Sequence, residues 1–368
     1  MLKILNKEKW NLLQLFVLKT LGAMFGFLFL KFILIKFGAA DVLVFSEYRR
    51  YTSFAIIILF LGYHVTLPIE NLKKNSNENQ IIIPILFAIV SSTIFYLFNP
   101  SIKYFAMHLI SFVFIASIFT IDRANGNLIK GSQLQFILSS IFPFISAAIS
   151  NDISSYIESY FFIVILFMLF KLKKIKFNRF KINIPLLKRS IGRIFQDLMN
   201  VSIPFLIVFI AKDEGTSYRA FIMTLIMGLY LIKSPFNLLI ADLMAKKRIV
   251  NESINYFFIS IILILILTAA YKLLLTPINI FYFNNYIFFN ELNKSVYFIP
   301  PYFLYMSLRN YLDVYIQNVL TNIFTFLTIL LFLILIYYDV NNYISGALSY
   351  MIMNIYILYL MFNFKVKF

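Results

Sequence analysis

The sequence predicts an all-α polytopic membrane protein, with about twelve transmembrane helices arranged in two six-helix lobes. Three observations carry this prediction. Of 368 residues, 61% are hydrophobic and only 13% charged, too little charge to cover a water-soluble surface of this size. Apolar runs of roughly 20 residues, long enough to cross a ~30 Å hydrocarbon layer, recur along the whole chain. The basic residues behind the net charge of +17 concentrate in alternate connecting segments.

Hydropathy places the spans near 12–35, 51–69, 81–98, 104–121, 133–150, 156–170, 194–211, 220–242, 254–271, 296–316, 319–338 and 341–362. The first contains VLKTLGAMFGFLFLKFILIKFG (17–38), which is too long for a signal-peptide core and has no Ala-x-Ala-like site after it, so it is expected to be retained. Lys19, Lys31 and Lys36 interrupt it. On a helix, Gly22 and Gly26 lie about 60° and 20° from Lys19, so Lys19 projects from the face that admits a close neighbour. Lys31 and Lys36 sit near the outer end and can reach the headgroups. Lys19, roughly 10 Å inside, cannot do so easily. An intramembrane ammonium costs about 2.5–3.5 kcal/mol, so Lys19 is expected to meet a partner or a wet cavity.

Span 2 is entered through Tyr48, Arg49 and Arg50 at its outer end, and His64 lies within it as a hydrogen-bonded packing residue or a functional one. Between spans 6 and 7 runs KLKKIKFNRFKINIPLLKRSIGR, from Lys171 to Arg193. It divides the chain into an N-terminal lobe (1–172), a basic cytoplasmic linker (173–193) and a C-terminal lobe (194–368). The linker reads as an orientation signal that touches anionic lipid, or as a connector that attracts a phosphorylated headgroup. Asp197 opens span 7 beside Gln196 and Asn200, as a helix cap, as a partner for a basic cavity residue or as the carrier of a coupling proton. Lys233 lies inside span 8, two residues before Pro235. Arg309 and Asp313, four apart with Gln317 beyond, form a stripe that is structural or cavity-lining. No Gly or Pro marks the break between spans 10 and 11, but a single crossing of that length is implausible. The longest outer segment, 272–295, is rich in Asn and aromatics and is expected to rest at the interface.

With the N-terminus inside, inner segments hold 21 Lys and Arg and outer segments 8, which places both termini in the cytoplasm. The basicity is therefore topological: the partner it implies is the lipid bilayer, with no nucleic acid. There is no cysteine, so no disulfide or thiolate metal site. HExxH, GxSxG and GxxxxGK[ST] are absent, and the sixteen carboxylates are scattered. No catalytic residue, metal or cofactor is expected, and the chain reads as a non-enzyme. An internal echo links Tyr48–Lys74 with Tyr218–Lys247: each has Tyr-Arg, then a Pro, then an acidic residue before paired lysines. Parallel repeats of this kind are a transporter trait, although two amphiphilic helices can also match by chance.

The stretch LKTLGAMFGFLFLKFILIKFGAADVLVFSEYRRYTSFAIIILFLGYHVTLPIENLKK, from Leu18 to Lys74, resembles the start of the polysaccharide flippases (O-antigen and teichoic-acid type) of the multidrug/oligosaccharidyl-lipid/polysaccharide exporter superfamily. Gly38 to Ser46 stand where that family has a short outer loop, and Arg123 to Phe144 is similar to its entry into the fifth helix. The chain is shorter than usual, and Ser202-Ile203-Pro204 falls where family members often carry an acidic residue. The resemblance implies two six-helix lobes around a central cavity, and translocation of a polyprenyl-diphosphate-linked oligosaccharide across a bacterial cytoplasmic membrane by alternating access. Glycosyltransferases and a glycan polymerase would be its partners in surface-polysaccharide synthesis. Lys19, Arg50, His64, Asp197, Lys233, Arg309 and Asp313 are the candidate cavity residues. The rival readings are a membrane glycan polymerase or acyltransferase, a multidrug antiporter of the same superfamily, and a scaffold without transport.

Overall fold

In hydrocarbon every backbone N–H and C=O must be satisfied within the protein, which favours helices over open strands. The computed structural model describes residues 2–60, 66–69, 71, 89–93, 103–172, 190, 198–199, 201–210, 215–245, 250–315 and 319–363, and no strand occurs among them. The chain forms two compact units, Met1–Ile194 and Phe195–Phe368.

Unit 1 contains α1 (Leu2–Phe37), α2 (Ala39–Phe60), α3 (Lys103–Ala124), α4 (Leu128–Phe136), a π turn (Ile137–Ile141), α5 (Phe142–Ile149) and α6 (Ile153–Leu172). Unit 2 contains a helical run at 201–209, then α7 (Thr216–Ala245), α8 (Val250–Leu273), α9 (Leu275–Tyr282), α10 (Tyr286–Ser295), α11 (Ile299–Tyr315), α12 (Val319–Tyr337) and α13 (Asn342–Asn363). Among the described residues, six helical stretches are long and apolar enough to cross a membrane: Trp10–Phe37, Lys103–Ala124, Leu128–Ile149, Ile153–Phe170, Leu320–Tyr337 and Asn342–Met361. A seventh is the pair α8–α9, bent by 57° at Leu274.

The exposed faces are apolar at helical spacing. On α1 they are Leu13, Val17, Leu21, Met24, Leu28 and Ile35, all about 120–200° around the helix from Lys19. α12 repeats the pattern with Leu320, Ile323, Leu327, Leu330 and Ile334. Such stripes exceed what water tolerates and suit acyl chains.

The structure changes two sequence expectations and adds detail to a third segment. Residues 39–50 are not an outer loop: Gly38, at φ +93°, is the sole connection between α1 and α2. The segment AADVLVFSEY contains no breaker, so the helix resumes at once. Arg49 consequently lies about 16 Å along α2 from the turn, not at its mouth. The 272–295 segment is helical over most of its length, ending α8 and forming α9 and α10. Asn285 starts α10 by accepting from the Ile287 and Phe288 amides at 2.8 and 3.2 Å. Lys36 does not reach for headgroups. Its Nζ donates to the Ala147 and Ala148 carbonyls at 2.7 and 2.8 Å, capping the C-terminal end of α5.

Span 5 is continuous but widened at its centre. Pro143 lacks an N–H and would clash with the carbonyl four residues back, and the π turn at ILSSI precedes it. The freed Leu138 carbonyl accepts from the Tyr160 hydroxyl of α6 at 2.8 Å. The α3–α4 connection closes as a Schellman turn. Gly126 takes φ +75°, Asn127 N–H reaches Asp122 O at 2.8 Å and Gly126 N–H reaches Arg123 O at 3.0 Å.

Candidate functional site

Each unit carries polar groups inside its helical bundle, where they must be partnered by protein or left for a ligand. In unit 1, Lys19 is 8% exposed. Its Nζ donates to Gln135 Oε1 on α4 at 2.6 Å and stands 5.0 Å from the Phe119 ring centroid on α3. The glycine face brings α4 and the π turn close: a Cβ on Gly22 would lie 3.6 Å from Phe136 and 3.7 Å from Ser140. At Gly26 the same face is open, with nothing within 4 Å.

A second cluster in unit 1 joins α2, α3 and α6. His108 is buried, its Nδ1 lies 2.9 Å from Thr52 Oγ1, and Phe45 meets its ring edge-on at 5.4 Å. His108 Nε2 has no hydrogen-bond partner among the described residues. Arg49 stands one turn beyond Phe45, 6.0 Å over its ring, in electrostatic range of His108, Tyr156 and Tyr160. No ion pair to Arg49 occurs among the described residues. The acidic residue of α6, Glu158, is held by Lys103 at 2.5 Å. The tyrosine rings stack at 6.1 Å, and Phe29 lies 5.6 Å from Tyr156.

In unit 2, Lys233 is fully buried, at 0% exposed. It donates to Phe303 O at 2.9 Å, to Ser307 Oγ, and to Asn237 Oδ1 at 3.4 Å. Ser260 on α8 reaches the same Ser307 hydroxyl at 3.2 Å, so α7, α8 and α11 meet at one polar point. Toward the N-terminal end of α7, buried Arg219 lies 3.8 Å from Glu291 of α10, which also accepts from Lys294 at 3.1 Å.

The structure thus describes four of the predicted site side chains. Arg50 is buried on α2, and Arg309 is buried on α11 with Tyr350 in electrostatic range. Lys19 and Lys233 sit within their own units. Asp313 belongs to α11, but its side chain lies outside the described residues, as do His64, Asp197 and the basic linker. Sequence reading missed Arg49 and His108. The signal was available in the doubled arginine of EYRRYT and the lone histidine of AMHLIS, but it needed α2 to start at Ala39 to bring the two together. Among the described residues no cluster of three or more His, Cys, Asp or Glu offers a metal site.

No protein-family model matches the chain, and no curated sequence matches it significantly. Solved structures do. A multidrug resistance MATE family transporter of the MOP superfamily, in an outward-facing conformation, superposes with a TM-score of 0.64 at 10% identity, over 95% of this chain and 94% of that one. A MOP superfamily transporter from Pyrococcus furiosus, described as having a binding pocket of reversed polarity, gives 0.67 at 11%, over 95% and 94%. A single-residue mutant of the Vibrio cholerae MATE transporter VcmN gives 0.63 at 12%, over 96% and 97%. At such low identity the likeness speaks for architecture: the chain is a multi-pass, all-α membrane protein with the fold of the MATE transporters, six or seven of whose spans lie among the described residues.

Proposed function

We propose that this chain is a flippase that moves a polyprenyl-diphosphate-linked oligosaccharide across the bacterial cytoplasmic membrane by alternating access, with both termini cytoplasmic. The observation that carries this reading is Arg49. Among the described residues this guanidinium has no acidic partner and stands among aromatic rings beside an imidazole nitrogen that lacks a hydrogen bond, an arrangement that is costly in a membrane unless an anionic ligand visits it. A diphosphate supplies that charge, and Arg binds such groups through paired N–H donors. Arg50 and Lys19, in the same unit, add positive potential. A cationic drug would be repelled by the same groups, which favours the lipid-linked anion over the multidrug-antiporter reading. The fold, shared with transporters over nearly the whole chain, supports transport over glycan polymerisation or acyl transfer.

The polyprenyl tail stays in lipid while glycan and diphosphate pass through protein, so only the polar part needs a path. Reconstitution into vesicles with a fluorescent polyprenyl-diphosphate oligosaccharide tests the proposal. Wild-type protein is expected to move the label between leaflets. Arg49→Ala is expected to cut the rate at least tenfold while leaving the protein folded, and Arg49→Lys to restore part of it. Dye efflux without glycolipid movement would favour the antiporter, and altered glycan length or acylation would favour an enzyme.

A further inference from the structure

Lys233 presents a buried amine nitrogen with no carboxylate among its contacts in the described residues. It has three N–H donors and three acceptors: Phe303 O, Ser307 Oγ and Asn237 Oδ1. Each acceptor is fixed in that role by its other bonds. The Ser307 hydroxyl gives its own proton to Phe303 O at 3.0 Å. Asn237 commits its Nδ2 to Tyr230 Oη at 2.9 Å and Met306 O at 3.2 Å, which leaves Oδ1 for the ammonium. Ser260 supports Ser307 from α8. A neutral amine would point its lone pair at one of these lone pairs, so the shell is complementary to a cation. Carbonyl, hydroxyl and amide oxygens are also the ligands that replace the hydration shell of an alkali ion.

We propose that this three-helix oxygen shell is a monovalent-cation site whose resident ion is the tethered ammonium of Lys233, and that cutting the tether opens it to K⁺, Na⁺ or a small alkylammonium. The inference does not depend on what the protein transports. It implies that unit 2 is complete without any exchangeable ion at this point.

The test is thermal unfolding of purified full-length protein in detergent, with choline chloride replaced at constant ionic strength by NaCl, KCl or methylammonium chloride. Wild type is expected to show the same midpoint in all four. Lys233→Ala is expected to melt several degrees lower in choline and to regain most of the loss, saturably, in at least one of the other salts. Lys233→Met, whose thioether fills the space without charge, is expected to be destabilised and to regain nothing. Adding Ser307→Ala to Lys233→Ala removes a ligand and is expected to abolish the recovery. If Lys233→Ala purifies only from one of the small cations and not from choline, the proposal is equally supported. Lys233→Ala that recovers in none of the salts, fails to purify from all of them, or recovers equally without Ser307 would overturn it.

Discussion

At the scale of single residues, the helix ends are organised by where each charged side chain spends its hydrogen bonds. Lys36 illustrates this: three residues beyond apolar Ile33, it closes the C-terminal end of α5. Lys36→Ala is expected to lower stability by about 0.3–1 kcal/mol, read from detergent unfolding, since a cation at a helix C-terminus contributes about that much. Asp152 does the converse job at the start of α6, where its Oδ1 accepts from the Ser155 amide at 2.7 Å. That hydrogen bond holds its pKa below the ordinary carboxylate value. A depressed folded pKa means the contribution is present above the unfolded value of about 3.9 and is lost as pH falls through the folded one. Unfolding midpoints of wild type and Asp152→Ala should therefore differ at pH 7 and draw together as the pH falls below the ordinary carboxylate range. Hydropathy located Lys19 and Lys233 as buried. It could not show their partners, because Gln135 is 116 residues from Lys19 and Ser307 is 74 from Lys233.

Between elements, the glycines distinguish contact from free space. A Cβ on Gly346 of α13 would come within 2.8 Å of Ile207 and 3.1 Å of the Phe298 ring, whereas one on Gly26 of α1 would meet nothing within 4 Å. Gly346→Val is expected to cost about 1–3 kcal/mol through overpacking. Gly26→Ala, in an open helical position, is expected to stabilise by about 0.5–1 kcal/mol. Unfolding midpoints of the pair should therefore move in opposite directions. Most helix positions were readable from apolar run length, as α3, α6, α7, α12 and α13 show. The early start of α2 was not, because Arg49 and Arg50 depress local hydropathy and made a helix interior look like a loop. The π turn before Pro143 was hidden for a different reason: it depends on the Tyr160 hydroxyl from α6 as well as on local sequence.

For the whole molecule, the absence of cysteine turns any introduced thiol into an isolated reporter. Cysteine at Leu28 or Phe162, which are 54% and 58% exposed on apolar stripes, is expected to react with a membrane-soluble maleimide and resist a charged one. Cysteine at Tyr286 or Tyr337, 81% and 82% exposed at helix ends, is expected to react with both. Equal labelling of all four by the charged reagent would place the stripes in water instead of lipid. The single-residue connection at Gly38 has a consequence for biogenesis. With no slack between them, α1 and α2 cannot be threaded into the bilayer independently. The 28-residue apolar stretch Trp10–Phe37 must partition together with the helix bearing two arginines, its favourable transfer offsetting theirs as one hairpin leaves the insertion machinery.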